Sequence, residues 1–229
     1  MTPQPRQSFT PAILGNTVEY DSDAAQSIPF SKLLFDKVFA AIALVLISPV
    51  LLLVFIAVWL ERDGPVIFRH SRVGMGGETF SCLKFRTMKQ DAQNCLEQIL
   101  DIDPIAKDEW EKTRKLYRDP RVSRLGAFLR KTSLDELPQF WNILIGDMSV
   151  VGPRPITWDE TRYYASQFPV YTSVRPGLTG AWQISGRSET SYKERVDLDV
   201  NYVRQWSLPL DIHIVFKTIG VVLFCKGAF

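Results

Sequence analysis

The longest apolar stretch of the chain, positions 38–60, reads VFAAIALVLISPVLLLVFIAVWL. It holds 23 residues without a charge, bracketed by Lys37 before it and by Glu61, Arg62 and Asp63 after it. At about 1.5 Å per residue, a helix of this length is long enough for a ~30 Å hydrocarbon core. The stretch begins too late, runs too long and lacks a small-residue cleavage site, which disfavours a removable secretory signal. Ser48 and Pro49 sit at its centre, with ten residues before them and eleven after. Proline has no amide hydrogen and crowds the preceding turn, so a kink or break is expected there. Hydropathy alone favours a kinked spanning helix. The alternative is a re-entrant helix-break-helix, each half about 15 Å long, that enters one leaflet and returns, with the Ser48 hydroxyl serving a carbonyl freed at the break. Cations flank the stretch on both sides, Lys32 and Lys37 before it and Arg62, Arg69 and Arg72 after it. A segment whose two flanks both favour the cytoplasm leans toward re-entry.

Beyond this stretch the pattern changes period. Positions 1–30 are rich in Pro, Gln, Ser, Thr and Asp and read as a disordered leader. VIFRHSRVG and ETFSCLKFRTM read as two strands joined at Met75-Gly76-Gly77 into a hairpin. The glycines there lack the spacing of a phosphate loop. Positions 91–116 are helix-like and broken near Pro104. Leu125, Phe128 and Leu129 recur at helical spacing inside a basic run, 112–131, that holds eight Lys or Arg and one acid, Asp119. Such a run is commonly a solvated face. Beside a membrane segment, it also suits anionic headgroups or phosphorylated ligands. Gly152-Pro153-Arg154-Pro155 and Arg175-Pro176-Gly177 mark loops. Positions 191–206 are again helix-like. The C-terminal stretch brings Ile212, Val215, Phe216, Ile219 and Leu223 near one helical face, which suits an interfacial or core helix. The fold class expected is α/β: a membrane helix, a short β-hairpin and a small domain with amphipathic interfacial helices.

Composition narrows the chemistry. The 229 residues allow one domain with an appendage and a real core. A net charge of +2 argues against a general nucleic-acid binder. Three cysteines, far apart and in no CxxC pair, fit a reducing compartment better than a disulfide scaffold. Two histidines remove most His-rich zinc sites and weaken any Ser-His-Asp triad. Chemistry therefore falls to carboxylates, cationic side chains or a hard metal.

The densest chemistry lies in LRKTSLDELPQ, positions 129–139. Asp135 and Glu136 are adjacent, and Ser133-x-x-Glu136 matches a capping box that would place both acids in the first turn of a helix. Pro138 tolerates only an early helix position, so Asp135 could itself be the cap. A cap of this kind is usually non-catalytic. The neighbourhood shifts the balance: Arg130 and Lys131 precede the pair, Arg154 follows in a Pro-flanked loop and Arg187 in Gly-Arg. Two neighbouring carboxylates need cations or a metal to stay ionised. Arg forks suit phosphate oxygens. Mg2+ takes one or two carboxylates and shares its shell with substrate phosphates. Together with a membrane segment, these residues suggest phosphoryl transfer involving a lipid.

At these residues the sequence resembles the bacterial sugar transferases, also called monotopic phosphoglycosyl transferases. The resemblance rests on six blocks in order: FDKVFAAIALVLISPVLLL, GPVIFRHSRVG, FSCLKFRTM, LGAFLRKTSLDELPQFWNILIGDMSVVGPRP, VRPGLTGAWQISGR and LDVNYVRQWSLPLDIHIVFKT, spanning roughly 31–226. It is closest to the exopolysaccharide-type galactose- or glucose-phosphate transferases. The resemblance implies transfer of a hexose 1-phosphate from a UDP-sugar to undecaprenyl phosphate with release of UMP, at the cytoplasmic face of the bacterial inner membrane. Downstream glycosyltransferases would extend the lipid-linked sugar. It assigns Asp135 as the nucleophile of a covalent phosphosugar intermediate and Glu136 as the partner that holds Mg2+. It places Arg130, Arg154 and Arg187 near the diphosphate. It identifies Ser48 and Pro49 with the break of a re-entrant helix, against the hydropathy-only preference. The implied division is a leader over 1–30, a membrane-embedded helix over 31–62 and a cytoplasmic catalytic domain over 63–229.

Lys84 and Arg86, at alternate strand positions, suit nucleotide or lipid phosphate as well as a solvated face, and Lys37 suits lipid phosphate as well as snorkelling. A rival reading is a membrane-anchored assembly subunit without activity, its acids serving only as a cap. A glycoside hydrolase fits poorly, because its two carboxyls stand apart across a sugar.

Overall fold

A computed structural model describes residues 28–61, 64–113, 116, 119–185 and 191–223. The expected leader thus falls almost wholly outside the described residues. The fold is mixed: one long apolar N-terminal helix, further helices, and two small sheets.

The apolar stretch folds into α1 (Phe30–Glu61), a helix that continues through Pro49 without interruption. The helix-break-helix expected at Ser48-Pro49 therefore shows no gap in the helix. The reason is local. Pro49 cannot donate to the carbonyl four residues back, that of Val45, and the Ser48 hydroxyl donates to that same carbonyl at 2.8 Å. The freed acceptor is satisfied without unwinding the chain.

Burial in α1 lies toward its two ends. Lys32, Asp36 and Ala40 are buried near the start, Val54 and Val58 toward the end. The centre is bare, with Val45 73% and Leu46 72% exposed. At the start, Lys32 Nζ donates to Asp211 Oδ2 at 2.6 Å and to the Val151 carbonyl at 2.9 Å. Asp36 Oδ1 accepts from Ser149 Oγ and Val150 N, each at 3.0 Å. Tyr202 Oη donates to the other Asp211 oxygen at 2.7 Å. Toward the other end, Val54 and Val58 pack with Val66, Phe85 and Leu129. Both ends of the helix therefore dock on the same domain.

The predicted hairpin is present: β1 (Ile67–Val73) and β2 (Thr79–Phe85) pair antiparallel around a turn at Met75–Gly77. The helix predicted over 91–116 is two, α2 (Ala92–Ile102) and α3 (Pro104–Thr113), divided where Pro104 was expected to divide it. The basic run contributes α4 (Arg124–Lys131), started by Ser123 Oγ accepting from Gly126 N at 2.8 Å. Next comes α5 (Gln139–Ile145), packed against α1 with the Phe39 and Phe140 ring centroids 6.4 Å apart.

A parallel pair, β3 (Ser149–Val151) and β4 (Gly177–Thr179), was not anticipated. Three-residue strands are too short to show a period. Their loops cross so tightly that a Cβ on Gly177 would lie 2.1 Å from Gly152 N, so glycine is required at this crossing. The remainder is helical: α6 (Phe168–Thr172), α7 (Ala181–Ile184), α8 (Tyr192–Arg204) and α9 (Leu208–Leu223). On α9, Asp211 and Ile214 face the core while Ile212, Phe216 and Ile219 are exposed. That arrangement suits an interfacial helix.

Candidate functional site

Asp135 and Glu136 sit on one 3-10 turn, Leu134–Glu136, between α4 and α5. The expected capping box is not formed. Ser133 adopts a left-handed conformation, φ 57°, with no side-chain cap, and α5 starts only after Pro138, its N-cap. Proline's fixed φ and missing donor place it at that boundary. The acids therefore lie ahead of the helix, and Asp135 is not its cap. The capping boxes that do form are Thr157–Glu160 and Ser191–Glu194.

The two acids differ in environment. Asp135 is buried. Burial, together with the charge of Glu136, raises its carboxyl to about 6, opposed by Lys84 and Arg130. Glu136 is held below the usual carboxylate range. Burial pushes it up, but Lys84, Arg154 and Arg72 outweigh that push. Lys84 Nζ stands 2.6 Å from Glu136 Oε1. At neutral pH Glu136 is firmly ionised and Asp135 is ionised in most molecules.

Strand alternation supplies the cations. Lys84 and Cys82 share one face of β2, and Arg72 lies across from Phe80 on the same face. Arg72, Lys84, Glu136, Gln139 and Arg154 line a cleft of about 40 Å³. The sequence reading takes Arg72 only as a flanking cation, although the alternation from Lys84, carried through the hairpin register, points to this site. Its Nη1 donates to Glu160 Oε2 and to the Pro155 carbonyl, both at 3.2 Å. His70, beside it, is lowered to about 4 by burial and by Arg72 and Lys84, and is therefore neutral.

The loop that carries Arg154 is anchored from below. Tyr171 Oη accepts from Ile156 N at 3.2 Å and lies 3.2 Å from the Arg154 carbonyl. Asp199 Oδ2 accepts from Tyr164 Oη at 2.7 Å, while its buried Oδ1 has no hydrogen-bond partner. Burial raises the Asp199 carboxyl to about 7. The Arg154 guanidinium lies 5.2 Å from the centroid of the Trp182 ring, and that of Arg195 lies 3.9 Å from the same centroid.

The other expected residues are dispersed. Arg130 Nε donates to Thr87 Oγ1 at 2.8 Å, and its charge bears on Asp135. Arg86 Nε donates to the Pro65 carbonyl at 2.7 Å and its guanidinium lies over the Phe68 ring, so it turns away from the acid pair. Lys37 donates to the Leu144 carbonyl at the end of α5. In the basic run, Arg121 is buried and paired with Asp119 at 2.6 Å, which removes it from any lipid-facing set. Arg187 lies outside the described residues.

Among the described residues no three His, Cys, Asp or Glu side chains cluster. The carboxyls of Asp135 and Glu136 are oxygen donors of the kind Mg2+ takes, with one Glu136 oxygen already paired to Lys84.

The family described as bacterial sugar transferase matches residues 27–225. The chain is 51% identical over 195 residues to the exopolysaccharide production protein ExoY of Rhizobium meliloti, covering 85% of this chain and 86% of that one. It is 48% identical over 207 residues to the undecaprenyl-phosphate galactose phosphotransferase of Salmonella typhimurium, covering 90% and 43%. It is 43% identical over 202 residues to the UDP-glucose:undecaprenyl-phosphate glucose-1-phosphate transferase of Escherichia coli, covering 85% and 40%. The chain thus spans most of the rhizobial protein and under half of each of the other two.

Proposed function

The chain belongs to the bacterial sugar transferase family, and from that premise we propose that it transfers a hexose 1-phosphate from a UDP-sugar to undecaprenyl phosphate, the first step of an exopolysaccharide. Galactose and glucose are the favoured hexoses, by analogy with the sugars named for the Salmonella and Escherichia coli relatives.

The observation that carries this reading is the contrast between two adjacent acids. Glu136 is kept charged by Lys84, while Asp135, buried and raised to about 6, is a less solvated and more basic carboxylate than usual. Less solvation and higher basicity favour nucleophilic attack. An Asp135 carboxylate oxygen attacks the β-phosphorus. The bond from that phosphorus to the bridging oxygen breaks, and UMP leaves with the electron pair. An oxygen of undecaprenyl phosphate then attacks the same phosphorus, and the acyl-phosphate bond breaks to return the carboxylate. Arg154, Arg72 and Lys84 hold the phosphate charges in line, and Arg130 stands beside the nucleophile. Glu136, with Asp135 before attack, would hold Mg2+, which supplies charge neutralisation of the diphosphate.

Membrane attachment follows from α1. Its apolar centre is bare while both ends dock on one domain, as a helix that enters and leaves on the same side would require. This favours the re-entrant reading over a span, with residues 31–62 embedded and 63–229 at the cytoplasmic face. Exposed Ile212, Phe216 and Ile219 on α9 would rest on the same surface. Glycosyltransferases that extend the product would meet it there.

The test is incubation of the purified chain with labelled UDP-galactose or UDP-glucose, undecaprenyl phosphate and Mg2+. A labelled lipid product with one of the sugars is expected. No product with either, or release of free hexose, overturns the proposal; the first outcome would favour a non-enzymatic assembly subunit.

A further inference from the structure

A cleft of about 490 Å³ opens between α5 and the outer face of the hairpin, a volume within the range of roughly 300–1,000 Å³ typical of ligand sites. Cys82 and Lys84 line the smaller cleft with Glu136, whereas Ser81 and Leu83 line this second cleft, which Phe80 closes at the turn end of the strand. In the middle of β2, alternation therefore places the two clefts on opposite faces. The floor is Asn142, whose amide accepts from Leu83 N at 2.9 Å and donates to the Ser81 carbonyl at 2.8 Å. That double bond locks α5 to the strand and fixes the width of the cleft.

The depth of this cleft in a bilayer follows from Lys37. It is the last charge before 23 uncharged residues, so its ammonium belongs at headgroup level. Lys37 Nζ donates to the Leu144 carbonyl. The C-terminal end of α5, and the cleft beside it, therefore share that level. Gly146 ends α5 with φ 98°, and a Cβ there would lie 3.5 Å from Arg175 Nη2 and 3.7 Å from Lys37 Nζ. Two cationic side chains thus converge on one turn, and Arg69 lines the same cleft. Neither Arg69 nor Arg175 forms an ion pair among the described residues. Two acids also line the cleft, Glu78 and Asp147. Asp147 accepts from Asn142 Nδ2 at 3.3 Å. On the rim, Trp141 is 52% and Ile145 53% exposed, an indole and an aliphatic chain where headgroups meet hydrocarbon.

We propose that this cleft binds a phospholipid of the bilayer, its phosphate diester held between Arg69 and Arg175 and its acyl chains running past Trp141 and Ile145 toward exposed Val38 and Ile42 of α1. The occupant is a resident lipid rather than the acceptor substrate, because the acid pair lies across the strand. The proposal rests on the reading of α1 as membrane-embedded and is independent of the reaction assigned to Asp135.

Native mass spectrometry of the delipidated full chain, titrated with phosphatidylglycerol, tests it. The wild type binds one phosphatidylglycerol that Arg69→Gln/Arg175→Gln binds about tenfold more weakly, charge-assisted phosphate contacts being lost. The Arg69→Lys/Arg175→Lys variant keeps most of that affinity. Equal binding by the Gln variant, equal binding of diacylglycerol, or one-for-one displacement by undecaprenyl phosphate overturns the proposal. Should the Gln variant not fold, a bimane on Ile145→Cys, read in vesicles, replaces it. Stronger quenching by spin-labelled phosphatidylglycerol than by spin-labelled phosphatidylcholine at equal density is expected, and equal quenching overturns the site. Flotation with the same vesicles separates the premises. A chain that floats without lipid preference removes the cleft alone, and one that does not float removes the membrane reading and the cleft together. Neither measurement reads sugar transfer.

Discussion

Lys84 Nζ and Glu136 Oε1 lie 2.6 Å apart, and this contact keeps Glu136 anionic below the pH range in which its neighbour Asp135 titrates. Burial, and after it the charge of the anionic Glu136, raises Asp135 to about 6. In the proposed mechanism the ionised form of Asp135 is the nucleophile, so kcat/KM for the UDP-sugar is expected to rise with pH with a midpoint near 6. Glu136→Gln removes the raising charge and moves that midpoint down. Lys84→Met removes a lowering charge and moves it up, which slows the enzyme at neutral pH. A pH profile of the three proteins checks both directions.

Asp135→Asn retains the shape of the side chain and removes the nucleophile. Transfer should fall by about a thousandfold or more. Intact-mass analysis of the variant with UDP-sugar alone should show no phosphosugar adduct. An adduct on the Asn variant would place the nucleophile elsewhere.

Glu136→Gln is also expected to raise the Mg2+ concentration needed for half-maximal rate, since one of the two carboxylates proposed to hold the ion becomes neutral. A metal titration unchanged from wild type would remove that role.

Asp199 is fully buried beneath the Arg154 loop. Asp199→Ala leaves the buried Tyr164 hydroxyl without its acceptor and should cost about 1–3 kcal/mol. It should also raise KM for the UDP-sugar as Arg154 loses its aim. Because its folded value is raised to about 7, the folded chain keeps a proton there that the unfolded chain releases near pH 4. Its contribution to stability therefore declines as pH rises from about 4 to 7. Thermal melts of Asp199→Asn should lack that part of the decline.

Lys32 and Asp211 form a buried pair at 2.6 Å. Removing one partner strands the other charge, so Lys32→Met should destabilise the chain by about 3–5 kcal/mol. Lys32→Met/Asp211→Leu should recover part of the loss. Denaturant melts in detergent measure both.

Much of this architecture was legible in the sequence, for stated physical reasons. A 23-residue uncharged run, an alternating pair of strands around two glycines and a proline between α2 and α3 each carry a local signature. The parallel pairing of β3 with β4 carries none, because three residues hold less than two periods and their partners lie far apart along the chain. The role of Ser133 was misread because a capping box is a local pattern, and Pro138 moves the helix start beyond it. Arg154 was chosen for the rigidity of its loop, and Tyr171 explains that rigidity. Arg86 and Lys84 looked equivalent by alternation, and only the end of the strand distinguishes them. Lys84 lies inside the paired region, while Arg86 lies past it and folds back on Pro65.

The seat of Lys32 bears on biosynthesis. The apolar helix leaves the ribosome early with Asp36 already one turn from Lys32, 3.5 Å away in the finished fold, yet the Asp211 carboxylate that makes the shorter contact stands 179 residues downstream. During translation the anchor can partition into lipid, but it cannot reach its final pose until Asp211 has been made. A nascent chain truncated before α9 would carry Lys32 with one of its two carboxylates missing, a fault that quality-control proteases could detect.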